Sequence, residues 1–90
     1  MKCLFVLAMD IQQRVGQNIK SARTAAGLSQ WQLVARIEAL AEDTGVDQSY
    51  LSGLEAGRRN PTLQTLWLVA QALGVPLTQI TDDGAIQAPG

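Results

Sequence analysis

The sequence predicts an all-α fold with one hydrophobic core. Apolar residues recur at helical spacing along most of the chain, and no run alternates apolar and polar residues as a half-buried strand does. The eight glycines and three prolines fall mostly between these apolar stretches rather than inside them. With 90 residues, of which 47% are hydrophobic, the chain can bury one modest core and has no room for a second domain of ordinary size.

The first two predicted helices begin with capping-box patterns. Asp10 is followed by Gln13, and Ser29 is followed by Gln32, so each pair can satisfy backbone N–H groups at a helix start. A glycine follows each apolar stripe and supplies a stop signal. These signals predict helix 1 at about 11–26 and helix 2 at about 30–44.

Three further helices follow, separated by turn residues. Asp47 and Thr62 are good N-caps, and the segment 57–61, with the sequence Gly-Arg-Arg-Asn-Pro, has the composition of a loop. Gly74 ends the stripe that begins after Thr62. The expected ranges are about 48–56, 63–73 and 77–80.

The two ends of the chain fall outside the predicted domain, which covers residues 10–81. The apolar stretch from Cys3 to Met9 is too short for a secretory leader of roughly 15–30 residues or a membrane span of about 20. We expect residues 1–9 to be a dispensable extension: a short strand, a disordered segment, or codons translated ahead of a start at Met9. Residues 82–90 are expected to form a flexible tail.

Composition excludes several classes of site. Cys3 is the only cysteine and there is no histidine, so neither a disulfide framework nor a set of structural zinc ligands is expected. A reducing, cytoplasmic location without membrane association is the simplest expectation. No convergent acid pair or activated nucleophile is visible, so we expect no enzyme activity, no metal and no cofactor.

The net charge of −1 is low for a nucleic-acid-binding protein, because affinity for DNA depends largely on cations that neutralise phosphates. The charges are unevenly distributed, however. Acidic residues cluster between Glu38 and Asp47, whereas Arg58 and Arg59 are adjacent in the loop before helix 4. A small basic face is therefore possible, and we expect modest, salt-sensitive binding per monomer.

Three segments carry a more specific signal. They are Gly27–Gln30, with the sequence GLSQ; Gly45–Ser52, with GVDQSYLS; and Glu55–Pro61, with EAGRRNP. Together they resemble the phage repressor and Cro family of helix-turn-helix domains, called the Xre family, over about residues 15–80. The resemblance implies a compact five-helix DNA-binding domain whose third helix enters the major groove of double-stranded DNA.

The resemblance also implies roles for particular side chains. The expected base-reading residues are Gln48, Ser49 and Ser52. The expected phosphate contacts are Gln30, Arg58, Arg59 and Asn60. Arg23 and Glu55 match positions that form a structural ion pair. Independently, a glutamine can pair with adenine and a serine hydroxyl can donate or accept on several bases. The alternative is that these polar residues only solvate an exposed helix face.

The chain departs from the family pattern in two places. Gly53 lies where many relatives carry a long polar side chain; it either lets the helix backbone approach DNA more closely or is a tolerated defect costing about 1 kcal/mol. About seven more residues than usual separate Gln30 from Gly45, which would lengthen helix 2 by about two turns. Gln30 lies at one end of this longer helix, and helix 3 follows its other end.

The expected function is sequence-specific transcription regulation, with a homodimer bound to an inverted repeat. Trp67, Leu68 and Leu77 are surplus apolar residues and form the expected dimer patch. Phage-type repressor, restriction-modification controller and antitoxin partner of a toxin all remain open. The alternative from another class is a protein-interaction module that kept the fold without binding DNA, which the weak net charge favours.

Overall fold

The computed structural model describes residues 2–83, with side chains from residue 11 onward, as five helices. Their bounds are α1 Lys2–Ala25, α2 Gln30–Leu40, α3 Gln48–Glu55, α4 Leu63–Leu73 and α5 Leu77–Thr81. The described residues form no strand. The predicted all-α class with five helices is therefore confirmed.

The start of α1 differs from the prediction. The helix begins at Lys2, so Asp10 lies inside it rather than capping it, and residues 2–9 do not form the short strand considered above. The segment between Lys2 and Ile11 contains no glycine or proline and is rich in leucine, alanine and methionine, which are strong helix formers. Nothing local interrupts a helix there. Residues 84–90, most of the expected tail, lie outside the described residues.

The end of α2 also differs from the prediction. The helix stops at Leu40 rather than near Thr44, because Ala41 is extended and Asp43 adopts a left-handed conformation with φ 55°. Glu42 and Asp43 carry negative charge, which a helix C-terminus disfavours. Part of the predicted lengthening therefore lies in the connection 41–47 instead of in the helix.

The core lies where α1, α2, α3 and α4 meet. Ile19, Leu33, Ile37, Leu51 and Val69 are essentially inaccessible to solvent at its centre. α2 packs on α4 and α3, while α1 packs on α3 and α5. Asn18 secures the last contact, because its Nδ2 donates to the backbone oxygens of Ile80 at 2.8 Å and Asp82 at 2.7 Å. This framework fixes α3 against two other helices.

No helix among the described residues combines the length and the apolar character needed to cross a bilayer.

Candidate nucleic-acid interface

α3 has one face in the core and the opposite face toward solvent. Asp47 caps the helix, with its Oδ1 accepting from the Tyr50 backbone N–H at 2.7 Å. Leu51 and Leu54 are buried, whereas Ser49 is exposed and Ser52 is half-buried. The first turn of α3 therefore presents polar side chains outward, as base contact in a groove requires.

A chain of polar contacts joins the start of α3 to its end through α2. The Nε2 of Gln48 donates to Oε1 of Gln30 at 2.8 Å, and the Nε2 of Gln30 donates to Oε1 of Glu55 at 3.0 Å. Gln30 is half-buried. Its side chain, for which a phosphate contact is predicted, lies between two partners within the protein, because α2 and α3 meet directly.

Arg23 and Glu55 form an ion pair, which extends the series of hydrogen bonds from Gln48 through Gln30 to Glu55. Nε of Arg23 lies 2.6 Å from Oε2 of Glu55, and Nη2 donates to Oε1 at 3.0 Å, so the guanidinium holds the carboxylate with two bonds. Nη1 also donates to the Leu28 backbone oxygen at 2.8 Å. The hydrogen bond to Glu55 raises the pKa of Arg23 above its ordinary value despite an opposing effect of burial. The pair links α1 to the last turn of α3.

Two glycines allow α1 to approach the end of α3 closely. A Cβ on Gly16 would collide with the backbone oxygens of Leu54 and Glu55. Gly57 adopts φ 78°, and a Cβ there would lie 2.7 Å from Cγ of Gln13. The crossing therefore requires glycine in α1 and in the turn after α3, and it fixes the position of the loop that follows α3.

The loop after α3 begins with a Schellman motif. The N–H of Arg58 donates to the Gly53 oxygen at 2.9 Å, and the N–H of Gly57 donates to the Leu54 oxygen at 3.1 Å. Arg58 and Asn60 point into solvent. Both are accessible for the predicted phosphate contacts.

Arg59 is placed differently from its neighbours. Its guanidinium carbon lies 5.1 Å from the centre of the Tyr50 ring, a distance at which a cation–π interaction is favourable. Its side chain also covers Gly53, where an added Cβ would lie 3.2 Å from Cγ of Arg59. The Arg59 side chain is thus folded back along α3 rather than extended from the loop.

The connection 41–47 lines an acidic cleft. The cleft has a volume of about 520 Å³ and is lined by Glu38 and by residues 41–47, including Glu42, Asp43 and Asp47. No group of acidic, cysteine or histidine side chains in the described part of the chain is arranged to hold a metal ion. The cleft repels phosphate, so this side of the motif is unsuited to contact with DNA.

The predicted dimer patch is only partly at the surface. Trp67 is 45% exposed, but Leu68 is 7% exposed and Leu77 is half-buried against the core. Successive helical residues are turned by about 100°, so neighbours such as Trp67 and Leu68 face different sides. Leu63, one turn before Trp67, is 70% exposed and takes the surface place that Leu68 was expected to fill.

Known proteins resemble this chain along most of its length. The profile of the family described as helix-turn-helix matches residues 19–80. The chain belongs to the helix-turn-helix family. An uncharacterized HTH-type transcriptional regulator, y4dJ of Sinorhizobium fredii, is 48% identical over 67 residues, which are 74% of this chain and 78% of that protein. Accordingly, the chain is a DNA-binding transcriptional regulator.

Other relatives of this helix-turn-helix protein have more specific names. Control protein C.SmaI of Serratia marcescens is 35% identical and is aligned over 80% of this chain and 77% of its own length. The immunity repressor of Bacillus phage phi105 is 41% identical over 77% of this chain but only 43% of the repressor. The crystal structure of the restriction-modification controller protein C.AhdI from Aeromonas hydrophila superposes with a TM-score of 0.66 at 33% identity, covering 77% of this chain and 94% of that one.

Sequence reasoning missed three parts of this interface in the helix-turn-helix protein. It did not find the contact of Gln30 with Gln48, the stack of Arg59 on Tyr50, or the close approach at Gly16. A glycine inside an otherwise regular helix was the available signal for the last of these. The other two join residues distant in sequence, and no local pattern indicates them.

Proposed function

We propose that this regulator reads the major groove with Gln48, Ser49 and Ser52 and acts as a homodimer on an inverted repeat. The observation that supports this most is the outward first turn of α3, whose orientation is fixed by contacts from two other helices. A reading helix must be held rigidly, because small displacements of its donors and acceptors would lose the base contacts.

Gln48 keeps the capacity for a bidentate contact despite its bond to Gln30. A glutamine amide has two N–H groups and one oxygen. The bond to Gln30 uses one N–H and leaves the second N–H and the oxygen without a partner among the described residues. Those two groups match N7 and N6 of adenine. Gln30 thus acts as a positioning residue for a reader.

Phosphate contacts come from groups at two ends of the motif. Arg58 and Asn60 are exposed in the loop after α3 and carry donors suited to phosphate oxygens. At the start of α2 the capping box engages Ser29 and Gln32. The backbone N–H groups of the first helical residues, including that of Gln30, remain available to an anion there. Gln30 therefore offers phosphate its backbone N–H, in addition to the second N–H of its side-chain amide.

Dimerisation compensates for the weak charge of one chain. A net charge of −1 and three short readers give a single domain little affinity and little selectivity, and a second copy doubles both contributions. Trp67 and Leu63 form an exposed apolar face on α4, with Leu77 beside the core, and such a face suits a two-fold contact. Half-site centres are then about one helical turn of DNA, roughly 34 Å, apart.

Selection of bound DNA from a random pool, followed by titration of the selected duplex, tests the reading helix. Gln48→Ala and Ser49→Ala should each weaken binding to the selected site by about 1–3 kcal/mol and leave unfolding unchanged. Gln64→Ala, at an exposed position of α4, is the matched control. If both variants bound the selected site with the parent's affinity, α3 would not be the helix that reads the bases.

The stoichiometry of the complex tests the dimer. Two chains on a symmetric site are expected, and Trp67→Glu should produce a monomer in solution. Trp31→Glu, at the other exposed tryptophan, should leave the oligomeric state unchanged. One chain on an asymmetric site would exclude the homodimer. No salt-dependent binding to any DNA would instead favour the interaction module, with a toxin or other regulatory protein as its partner.

A further inference from the structure

The outward face of α3 lacks a side chain at Gly53. This residue lies four positions after Ser49, one helical turn further along, and so on the same face as that predicted reader. Despite lying on this face, Gly53 is buried, because the Arg59 side chain covers it at 3.2 to 3.8 Å from the position of an added Cβ. The Arg59 side chain, from the loop after α3, thus occupies the space beside Gly53 where a longer side chain would lie.

The Arg59 side chain is held in this place from several directions. Its guanidinium stacks on the Tyr50 ring, and its aliphatic stem crosses the Gly53 surface. The loop backbone is fixed by the Schellman motif before it, and the Gln12 amide lies 3.3 Å from the backbone oxygens of Gly57 and Arg59. The arginine is therefore preorganised in the absence of any ligand.

We propose that Arg59 is a base-reading residue that replaces the missing side chain at position 53 and recognises guanine in the major groove. This inference rests on the proposed function and deepens it. A guanidinium presents a planar fork of N–H groups that pairs with O6 and N7 of guanine, the commonest specific contact between an arginine and a base.

Two features favour a base over a phosphate as the ligand of Arg59. The side chain lies over Gly53, on the outward face of α3, whereas Arg58 projects from the loop into solvent. The guanidinium lies over the Tyr50 ring, and its N–H groups have no hydrogen-bond partners among the described residues. A stacked arginine with a free edge has the geometry for bidentate recognition.

Arg59→Lys distinguishes a base contact from a phosphate contact, because it keeps the positive charge and removes the planar fork of N–H groups. Each variant is titrated against the DNA selected by the parent and against duplexes carrying every single base-pair replacement, at several salt concentrations. We expect Arg59→Lys to lose about 5- to 100-fold in affinity for the selected site, with an unchanged salt slope. On the duplex in which the G·C pair recognised by Arg59 is replaced, the parent and Arg59→Lys should bind with equal affinity, because that base contact is absent for both.

Arg58→Ala is the matched control, since it should weaken binding to all duplexes equally and reduce the salt slope. Gly53→Gln provides a second, independent variant, because its side chain displaces Arg59 from α3; it should lose the same G·C preference while retaining cooperative unfolding. A uniform loss in Arg59→Lys, or no loss at any base pair, overturns the assignment. A parent that selects no sequence overturns the proposed function itself.

Discussion

Gln48 of α3 donates a hydrogen bond of 2.8 Å to Gln30 of α2, and Gln30 passes a second one to Glu55 at the opposite end of α3. A single side chain of α2 thereby touches both ends of α3, the helix proposed to read DNA. Its orientation depends on both partners, so the start of α3 is energetically connected to the ion pair with α1.

A double-mutant cycle on Gln30 and Gln48 should show this connection. Gln30→Ala alone is expected to weaken binding to the selected DNA, because Gln48 loses the group that orients its amide. The double variant should lose little more than Gln48→Ala does, giving a coupling energy of about 0.5–3 kcal/mol. The measurement is the affinity of all four proteins for one duplex. Strict additivity would mean that the two amides act independently.

Breaking the Arg23–Glu55 pair should be strongly destabilising. The two side chains are 13% and 4% exposed, so Arg23→Met leaves the Glu55 carboxylate buried without its cation. We expect a loss of about 3–5 kcal/mol in the free energy of unfolding, measured by denaturant titration. Replacing both residues by methionine should cost less than replacing Arg23 alone. Arg14→Met, at an exposed position of the same helix, is the control, and an equal effect there would contradict the role of the pair.

Gly16→Ala should reverse the usual effect of this substitution. Inside a helix, glycine to alanine normally stabilises by about 1 kcal/mol. At Gly16 the added methyl group meets the backbone oxygens of Leu54 and Glu55, which cannot rotate away. We expect a net destabilisation of about 1–3 kcal/mol in thermal or denaturant unfolding, together with weaker DNA binding as α3 shifts. Gln17→Ala, at the exposed neighbouring position, should be close to neutral. A stabilised Gly16→Ala variant would show that α1 and α3 do not cross here.

Removing residues 1–8 should leave a folded domain that binds DNA. The described core residues of α1 begin at Val15, and Asp10 is then able to cap the shortened helix. The expected result is one cooperative thermal transition and the parent's affinity for the selected duplex. Loss of cooperativity would establish that the first helical segment belongs to the core.

Local chemistry made the starts of α2, α3 and α4 predictable. Ser29 and Gln32 form the full capping box, and Asp47 and Thr62 cap α3 and α4 as their positions in the sequence indicate. These contacts join residues three positions apart, so their geometry follows from the helix itself. The family resemblance then supplied the order of the helices and the outward turn of α3.

Tertiary contacts decided the features that were predicted wrongly or not at all. The partners of Gln30 lie 18 and 25 positions away, so no local rule indicated that its side chain joins two residues of α3. Leu68 and Trp67 are both apolar neighbours on α4, and only the packing of that helix shows which one is buried. The spacing of apolar residues predicted that α2 continues to about Thr44. The acidic residues after Leu40 disfavour that extension, and apolar spacing alone does not take their charge into account.

The connection 41–47 lies between two residues that are far apart in the sequence and in contact in the structure. Gln30 and Gln48 meet directly, although they are 18 positions apart in the sequence. Val46 is buried and Asp47 caps α3, so tolerance to insertions is expected only at the exposed residues Glu42 and Asp43. An insertion there should leave α3 in place, because the packing of α2 on α3, together with the inter-helix hydrogen bond, sets the spacing. The same tolerance makes this exposed pair a suitable place to graft an epitope or a fluorophore-acceptor peptide into the regulator.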